Sequence, residues 1–270
     1  MASPCTVPDH DALAEPAELE RIAADAAHAA AGLVSGAYGN PDPVGRKSSP
    51  TDVVTDTDLR AEDLVRRLLR ERTPGAGFLG EEGGKTAPAA RLQWVIDPLD
   101  GTINFLYGVP LFAVSVAAAV DGEVVAGAVV DVLRNELFSA HLGGGARRDG
   151  ESISVSPCVS LPEALVATGF SYRAELRSLQ GEVAHRLLSR VRDLRCFGSA
   201  ALELCWVACA RLDGYFQRDT ELWDRAAGAL IAEEAGARVE LPCPENDDLV
   251  IAAAQGVFED LWAAVQFAAA

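Results

Sequence analysis

Basic residues are scarce in this chain. Lys plus Arg number 23 against 40 Asp plus Glu, for a formal net charge of −17 over 270 residues. That surplus of acid argues against nucleic acid or an anionic membrane as the main partner. An anionic small substrate would then need a local cation, and clustered carboxylates point to a metal as its source. Histidine is thin as well: His10, His28, His141 and His185 lie scattered without ligand spacing. Zinc is therefore disfavoured, and hard oxygen ligands are left for a cation such as Mg²⁺. The six cysteines, Cys5, Cys158, Cys196, Cys205, Cys209 and Cys243, form no CxxC pair. Cys205 and Cys209 sit one helical turn apart in an apolar run and read as buried thiols in a reducing compartment. No uninterrupted apolar stretch of about 18 residues occurs, so no membrane span is expected. The start, MASPCTVPDHDALAEP, has no basic region followed by an apolar core; no signal peptide is expected, and a cytoplasmic location is. What remains is an ordinary globular composition, 49% hydrophobic and 23% charged. It is enough for one large domain or two closely fused halves, approximately 1–155 and 156–270.

The chain is organised around WVIDPLDGTINF, Trp94 to Phe105. Leu92, Trp94, Val95 and Ile96 make a short apolar, β-prone run suited to a strand buried on both faces. Asp97 marks the expected end of that strand, Pro98 removes a ladder donor, and Asp100-Gly101-Thr102 supplies a turn. Two carboxylates so close at the exit of a buried strand can converge on one point, where their repulsion calls for a cation or a shared proton. Gly101 and Thr102 can also aim backbone N–H groups at an anion.

Upstream, Ala17 to Gly36 reads as a helix with Pro16 at its start, followed by a loop over 37–50. Asp52, Asp56 and Asp58 then precede a helix carrying Leu59, Leu64, Val65, Leu68 and Leu69, with Thr57 and Asp58 as capping candidates. Phe78-Leu79 is a short strand that delivers Glu81 and Glu82 into a glycine-rich loop. Neighbouring side chains of an extended segment point opposite ways, so Glu81 is assigned to a site and Glu82 to a supporting or solvated position. Downstream, Pro110 to Val120, Glu123 to Val132 and Glu136 to Ala140 predict antiparallel strands, and Ser152 to Val155 a short one. Gly143-Gly144-Gly145 reads as a surface turn and not a phosphate loop. The second half alternates: strand near Ala164–Thr168, helix Ala174–Arg190, strand Leu194–Phe197, helix Ser199–Arg211, strand Gly214–Gln217. A helix opened by Trp223-Asp224, strands Arg238–Leu241 and Leu249–Ala253, and a helix Val257–Phe267 complete it. The Gly198-Ser199-Ala200-Ala201 junction offers an exposed helix N-terminus that could line an anion site or simply be a cap, and Asp224 an N-cap.

GEEGG at 80–84, WVIDPLDGTINF at 94–105 and WDRAAGALIAEEAG at 223–236 resemble, in this order, the three signatures of the inositol monophosphatase family of metal-dependent, lithium-sensitive phosphatases. KSSPTDVVTDTD at 47–58 resembles that family's mobile catalytic loop, making Lys47 and Asp58 catalytic candidates, and GSAALELC at 198–205 resembles its substrate-side helix start. The resemblance implies a layered α/β/α/β/α sandwich, usually dimeric, that hydrolyses a phosphate monoester with two or three Mg²⁺ ions. It implies Glu81, Asp97, Asp100, the Leu99 carbonyl and Asp224 as metal ligands. It further implies Thr102 with Glu81 to orient the attacking water, the Gly101 and Thr102 amides on the phosphate, and Asp100, Gly198, Ser199, Ala200, Gln217 and Asp224 on the substrate. Gln217 stands where family members acting on inositol phosphates commonly place a glutamate; it can still hydrogen-bond a hydroxyl but has lost the charge. The expected substrate is myo-inositol 1-phosphate. Histidinol phosphate, fructose 1,6-bisphosphate and adenosine 3′,5′-bisphosphate are same-family alternatives to be sorted by Gln217 and the 171–178 segment, and a non-catalytic regulatory role on the same fold is the alternative of another class.

Overall fold

The computed structural model describes residues 14–40, 42–46, 53–88, 91–243 and 248–266. Lys47 and Asp52 lie outside them. Helix α1 (Pro16–Ala37) has Pro16 at its first turn and buries Leu19, Ile22, Ala23, Ala26, Ala27, Ala30 and Val34 along one stripe. Most of that stripe is alanine, so the helix can lie close against a sheet. Where a loop was expected, Pro43–Arg46 (β1) pairs antiparallel with Val53–Thr55 (β2). The β-branched Val53 and Val54 favour this pairing, although the Pro and Gly of the stretch suggest a loop. Helix α2 (Asp56–Arg72) follows; its N-cap is Thr55, not Thr57, with Asp58 as the reciprocal partner.

Strands β3 (Gly77–Gly80), β4 (Gly84–Thr86) and β5 (Leu92–Asp100), the short helix α3 (Thr102–Tyr107), then β6 (Ala113–Val120), β7 (Glu123–Asp131), β8 (Glu136–His141), β9 (Ala146–Arg148) and β10 (Glu151–Ser152) complete the first half. The last strand is shorter than predicted. These strands form an eight-stranded sheet in the order β10-β9-β8-β7-β6-β5-β3-β4. β5 does not end at Asp97: Asp97 pairs with Ser115 and Asp100 with Ala113, so the intervening residues bulge around Pro98 and pairing resumes beyond it. A bulge that re-aims side chains next to the missing donor of a proline is how one strand can carry two carboxylates toward one side.

The second half contributes β11 (Leu165–Thr168), α4 (Ala174–Leu187), β12 (Asp193–Arg195), α5 (Ala200–Ala208), β13 (Gly214–Arg218), α6 (Leu222–Glu234), β14 (Arg238–Glu240), β15 (Leu249–Ala253) and α7 (Phe258–Val265). Its five strands are ordered β12-β11-β13-β15-β14, with β11 parallel to β12 and β13. Helices α1 and α2 cover one face of the large sheet. Helix α6 packs on its other face, and α5 and α6 lie between the two sheets, while α4 and α7 close the outside of the small one. The layering is α/β/α/β/α. Trp94 and Ile96 of β5 point into the core under α1 and α2, and Val95 into the core shared with α5 and α6, so β5 is buried on both faces. Such placement removes most of each side chain from water, worth roughly 1.5–3 kcal/mol per large apolar residue.

Candidate active site

A cavity of about 300 Å³ opens where β3 and β5 of the large sheet and β11 and β13 of the small one end. Glu81, Asp97, Asp100 and Asp224 all line it, together with Leu99, Gly101 and Thr102. No Lys, Arg or His among the described residues does so. These four acids come from three separated stretches of the chain.

Each acid is fixed differently. Asp97 is 2% exposed, and its Oδ1 accepts the Leu99 N–H at 3.1 Å across the bulge. Burial, then the charges of Glu81, Asp100 and Asp224, hold its carboxyl well above the usual range despite that bond. Asp100 Oδ2 accepts the Ser199 hydroxyl at 2.6 Å and the Ala201 N–H at 2.8 Å. Burial pushes its pKa to about 6, with those hydrogen bonds pulling the other way. Asp224 is not the N-cap of α6; Glu221 holds that position, and Asp224 Oδ2 accepts the Glu221 N–H at 2.7 Å. Burial and the Asp100 charge raise Asp224 to about 7.

The loop that carries Glu81 is tied down by a pair that sequence reasoning missed. Glu62 of α2 accepts the N–H groups of Glu82 at 2.7 Å and Gly83 at 2.9 Å. Arg66 donates to Glu62 at 2.6 Å and to the Gly84 carbonyl at 2.6 Å. Gly80 is needed for this approach, since a Cβ there would stand 2.1 Å from Glu62 Oε1. The visible signal was Glu62 and Arg66 at i and i+4 on the apolar side of an amphipathic helix, an arrangement that puts both charges indoors.

Thr102 is reached from two sides: its hydroxyl lies 2.9 Å from the Leu99 carbonyl and 3.1 Å from Asp58 Oδ1. Asp58 is fully buried. Its other oxygen takes the Thr55 N–H at 2.9 Å and the Thr55 hydroxyl, so one carboxylate both caps α2 and faces Thr102. Gly101, at φ +96°, makes the turn between them, a conformation that a side chain would strain.

Gly198, Ser199, Ala200 and Gln217 line the opposite wall with Gly169, Phe170, Ser171, Tyr172, Cys196 and Asp219. The N-terminus of α5 is not open to a ligand, however. Asp100 occupies it, taking the Ser199 hydroxyl and the Ala201 N–H, because a carboxylate is the partner that a helix start attracts. Two further residues shape this wall unannounced by the sequence: Asn104 donates to the Phe197 carbonyl at 2.7 Å, and buried Glu203 accepts the Phe197 N–H at 2.7 Å. Of the 171–178 segment only Ser171 and Tyr172 reach the cavity.

The donor set is all hard oxygen, the chemistry that Mg²⁺ takes. Among the described residues no group of three or more His, Cys, Asp or Glu stands in a metal-holding arrangement; Glu81, Asp97, Asp100 and Asp224 line one cavity without being drawn around one point. They fit a divalent cation by chemistry and by unneutralised charge.

The layered fold is that of the inositol monophosphatases. The inositol monophosphatase family model matches residues 15–268, and the chain belongs to that family. The inositol-1-monophosphatase SuhB of Mycobacterium tuberculosis (strain ATCC 25618 / H37Rv) is 44% identical over 274 residues, spanning 93% of this chain and 94% of the relative. The Nus factor SuhB of Escherichia coli K12 is 38% identical over 218 residues, or 80% of this chain and 82% of that protein. Among solved structures, Mycobacterium tuberculosis SuhB superposes with a TM-score of 0.80 at 42% identity, covering 93% of this chain and 96% of that one. The extragenic suppressor protein suhB of Bartonella henselae superposes with a TM-score of 0.85 at 31% identity, covering 91% and 97%. No helix among the described residues is long and apolar enough to cross a membrane.

Proposed function

We propose that the protein hydrolyses a small phosphate monoester with Mg²⁺, and that myo-inositol 1-phosphate is its substrate. The observation that carries this is the charge of the cavity: Glu81, Asp97, Asp100 and Asp224 line it without one basic side chain among the described residues. A dianionic ester could not approach such a surface unless cations came first. Glu81, Asp97, Asp100, Asp224 and the Leu99 carbonyl would hold the metal. When bound, Mg²⁺ neutralises the ester, lowers the pKa of water and stabilises the leaving oxygen.

The chain's own residues supply the orientation. Thr102 gives its proton to Asp58 or to the Leu99 carbonyl, leaving its oxygen lone pairs to accept a hydrogen bond from the attacking water. Glu81, across the same cavity, takes the second water proton as general base. The Gly101 and Thr102 amides meet the phosphate. No covalent phosphoenzyme is required, because the aspartates are committed to the cation. Relatives bearing the name inositol-1-monophosphatase support the substrate. A purely regulatory role has no use for four mutually repelling acids at one cavity and draws no support from the site.

The test is phosphate release from myo-inositol 1-phosphate, histidinol phosphate, fructose 1,6-bisphosphate and adenosine 3′,5′-bisphosphate, with Mg²⁺ and with chelator. The expected result is Mg²⁺-dependent release, fastest from the inositol ester. Release that persists undiminished in chelator, or none from any ester, refutes the proposal.

A further inference from the structure

Helix α3 carries Thr102 at its first turn, yet it is only six residues long and Gly101 gives it no side-chain cap. A helix that short does not hold itself, so its place is set by what grips it. At its far end the Tyr38 hydroxyl donates to the Gly108 carbonyl at 2.6 Å. In its middle Asn104 makes a longer connection. Its Nδ2 donates to the Leu111 carbonyl at 2.8 Å and to the Phe197 carbonyl, 93 residues away, at 2.7 Å. Both acceptors are carbonyls, so the atom between them is the nitrogen, and both of its protons are used. The Phe197 peptide is thereby held from two elements, because Glu203 of α5 accepts the Phe197 N–H at 2.7 Å and the Gly198 N–H at 3.3 Å. Gly198 lies close against the Gly101 turn: a Cβ on Gly101 would stand 3.2 Å from the Gly198 carbonyl, and one on Gly198 would stand 3.1 Å from Asn104 Nδ2.

We propose that Asn104 is a positioning residue for the reaction: its amide registers the cavity wall at 197–200 against the turn at 101–102, whether or not the acids hold a cation. The inference deepens the phosphatase reading and rests on it for its effect on turnover, but not for the tie itself. The hydrogen bonds from Ser199 and Ala201 that join the same two stretches end on Asp100. In the phosphatase reading that carboxylate shares its charge with a cation, and an acceptor that gives up charge makes the weaker hydrogen bond. The Asn104 bond joins two neutral groups and does not vary in this way. It keeps the wall in place while Asp100 changes partners, so the ester meets a surface that is already built.

Amide hydrogen exchange of the full chain in chelator reads the tie without turnover. In Asn104→Ala exchange across 197–202 rises at least about tenfold. Tyr38→Phe is the control: it loses the bond at the far end of α3 but keeps its ring against Phe105 and Phe112, and it leaves exchange across 197–202 within about twofold of the parent. With Mg²⁺ and myo-inositol 1-phosphate, Asn104→Ala raises KM about tenfold and lowers kcat less than about threefold, whereas a merely structural loss thins the active population and lowers kcat at constant KM. Asn104→Ser, which keeps one donor, shows the same changes at smaller size and replaces the alanine variant if that one does not fold. If the parent releases no phosphate from any ester, the function proposed above fails while exchange still decides the tie. Unchanged exchange across 197–202 in the Asn104 variants, equal loosening in Tyr38→Phe, or a loosened segment with parental KM each overturns the proposal.

Discussion

Asp100, at the end of β5, caps helix α5 through Ser199: the Ser199 hydroxyl donates to Asp100 Oδ2 at 2.6 Å, and the Ala201 N–H joins it at 2.8 Å. The two halves of the fold are locked by a carboxylate that also lines the cavity. Ser199→Ala removes one of the bonds favouring charged Asp100, so its pKa climbs above about 6. The expected cost is about 1 kcal/mol of stability. Protons should compete better with Mg²⁺, moving the acid limb of the kcat/KM profile to higher pH, with the variant approaching the parent above pH 8 or so. An acid limb that does not move separates the cap from the site.

Asp97→Asn removes a buried charge that three neighbouring acids oppose while keeping the side chain's size. In chelator the variant should melt no lower than the parent, and Mg²⁺ should no longer raise its melting temperature as it does the parent's. Turnover should fall by at least about a thousandfold if this carboxylate is a ligand. Substantial phosphate release at saturating Mg²⁺ would remove Asp97 from the metal set.

Much of this site was legible because its chemistry is concentrated in short strings. The apolar run before Asp97 suits an interior strand, and a proline between two aspartates removes a donor from its ladder. That the strand resumes after Pro98 was not legible, since resumption depends on β6 being there to pair with Asp100. The hairpin of Pro43–Arg46 with Val53–Thr55 was hidden by its loop-like residues for the same reason. The supporting residues were least visible. Glu62 and Asn104 act through partners far along the chain, and a carboxylate on a helix looks the same in sequence whether it meets water or the backbone of a distant loop. The α5 N-terminus shows the converse. Its sequence leaves a cap and an anion site both open, and in the fold the position is taken by Asp100 from β5.

Glu62 and Arg66 are 2% and 7% exposed, and both hold the turn that carries Glu81. Removing one partner of such a pair leaves a buried charge, at a cost of about 3–5 kcal/mol. Glu62→Ala should therefore lower stability by that order and weaken Mg²⁺ binding, because the Glu82 and Gly83 N–H groups lose their acceptor. Glu62→Leu combined with Arg66→Leu should regain part of the stability but not the Mg²⁺ affinity. Calorimetric titration with Mg²⁺ beside denaturant melts separates these effects. A double variant with parental affinity would show that the turn stands without them.

The last expectation concerns pH, and its sign is the reverse of the usual carboxylate case. Asp100 and Asp224 rise from 3.8 to about 6 and about 7 in the folded chain. Between 3.8 and those values the folded state binds more protons than the unfolded one at these two groups, so their contribution to metal-free stability is fully present at low pH and is lost as pH rises through about 6 and then about 7. Mg²⁺ binds the deprotonated acids, so the stabilisation it gives must grow over the same interval. The sequence pI is about 4.6, which makes the acid end prone to precipitation, so a scan from about pH 5.5 to 8 is the usable range. Melting temperatures in chelator should decline across it and those in Mg²⁺ should not, the two curves diverging most near neutrality. Asp224→Asn should flatten the chelator curve. Parallel curves would mean that these acids are neutralised by something other than a metal.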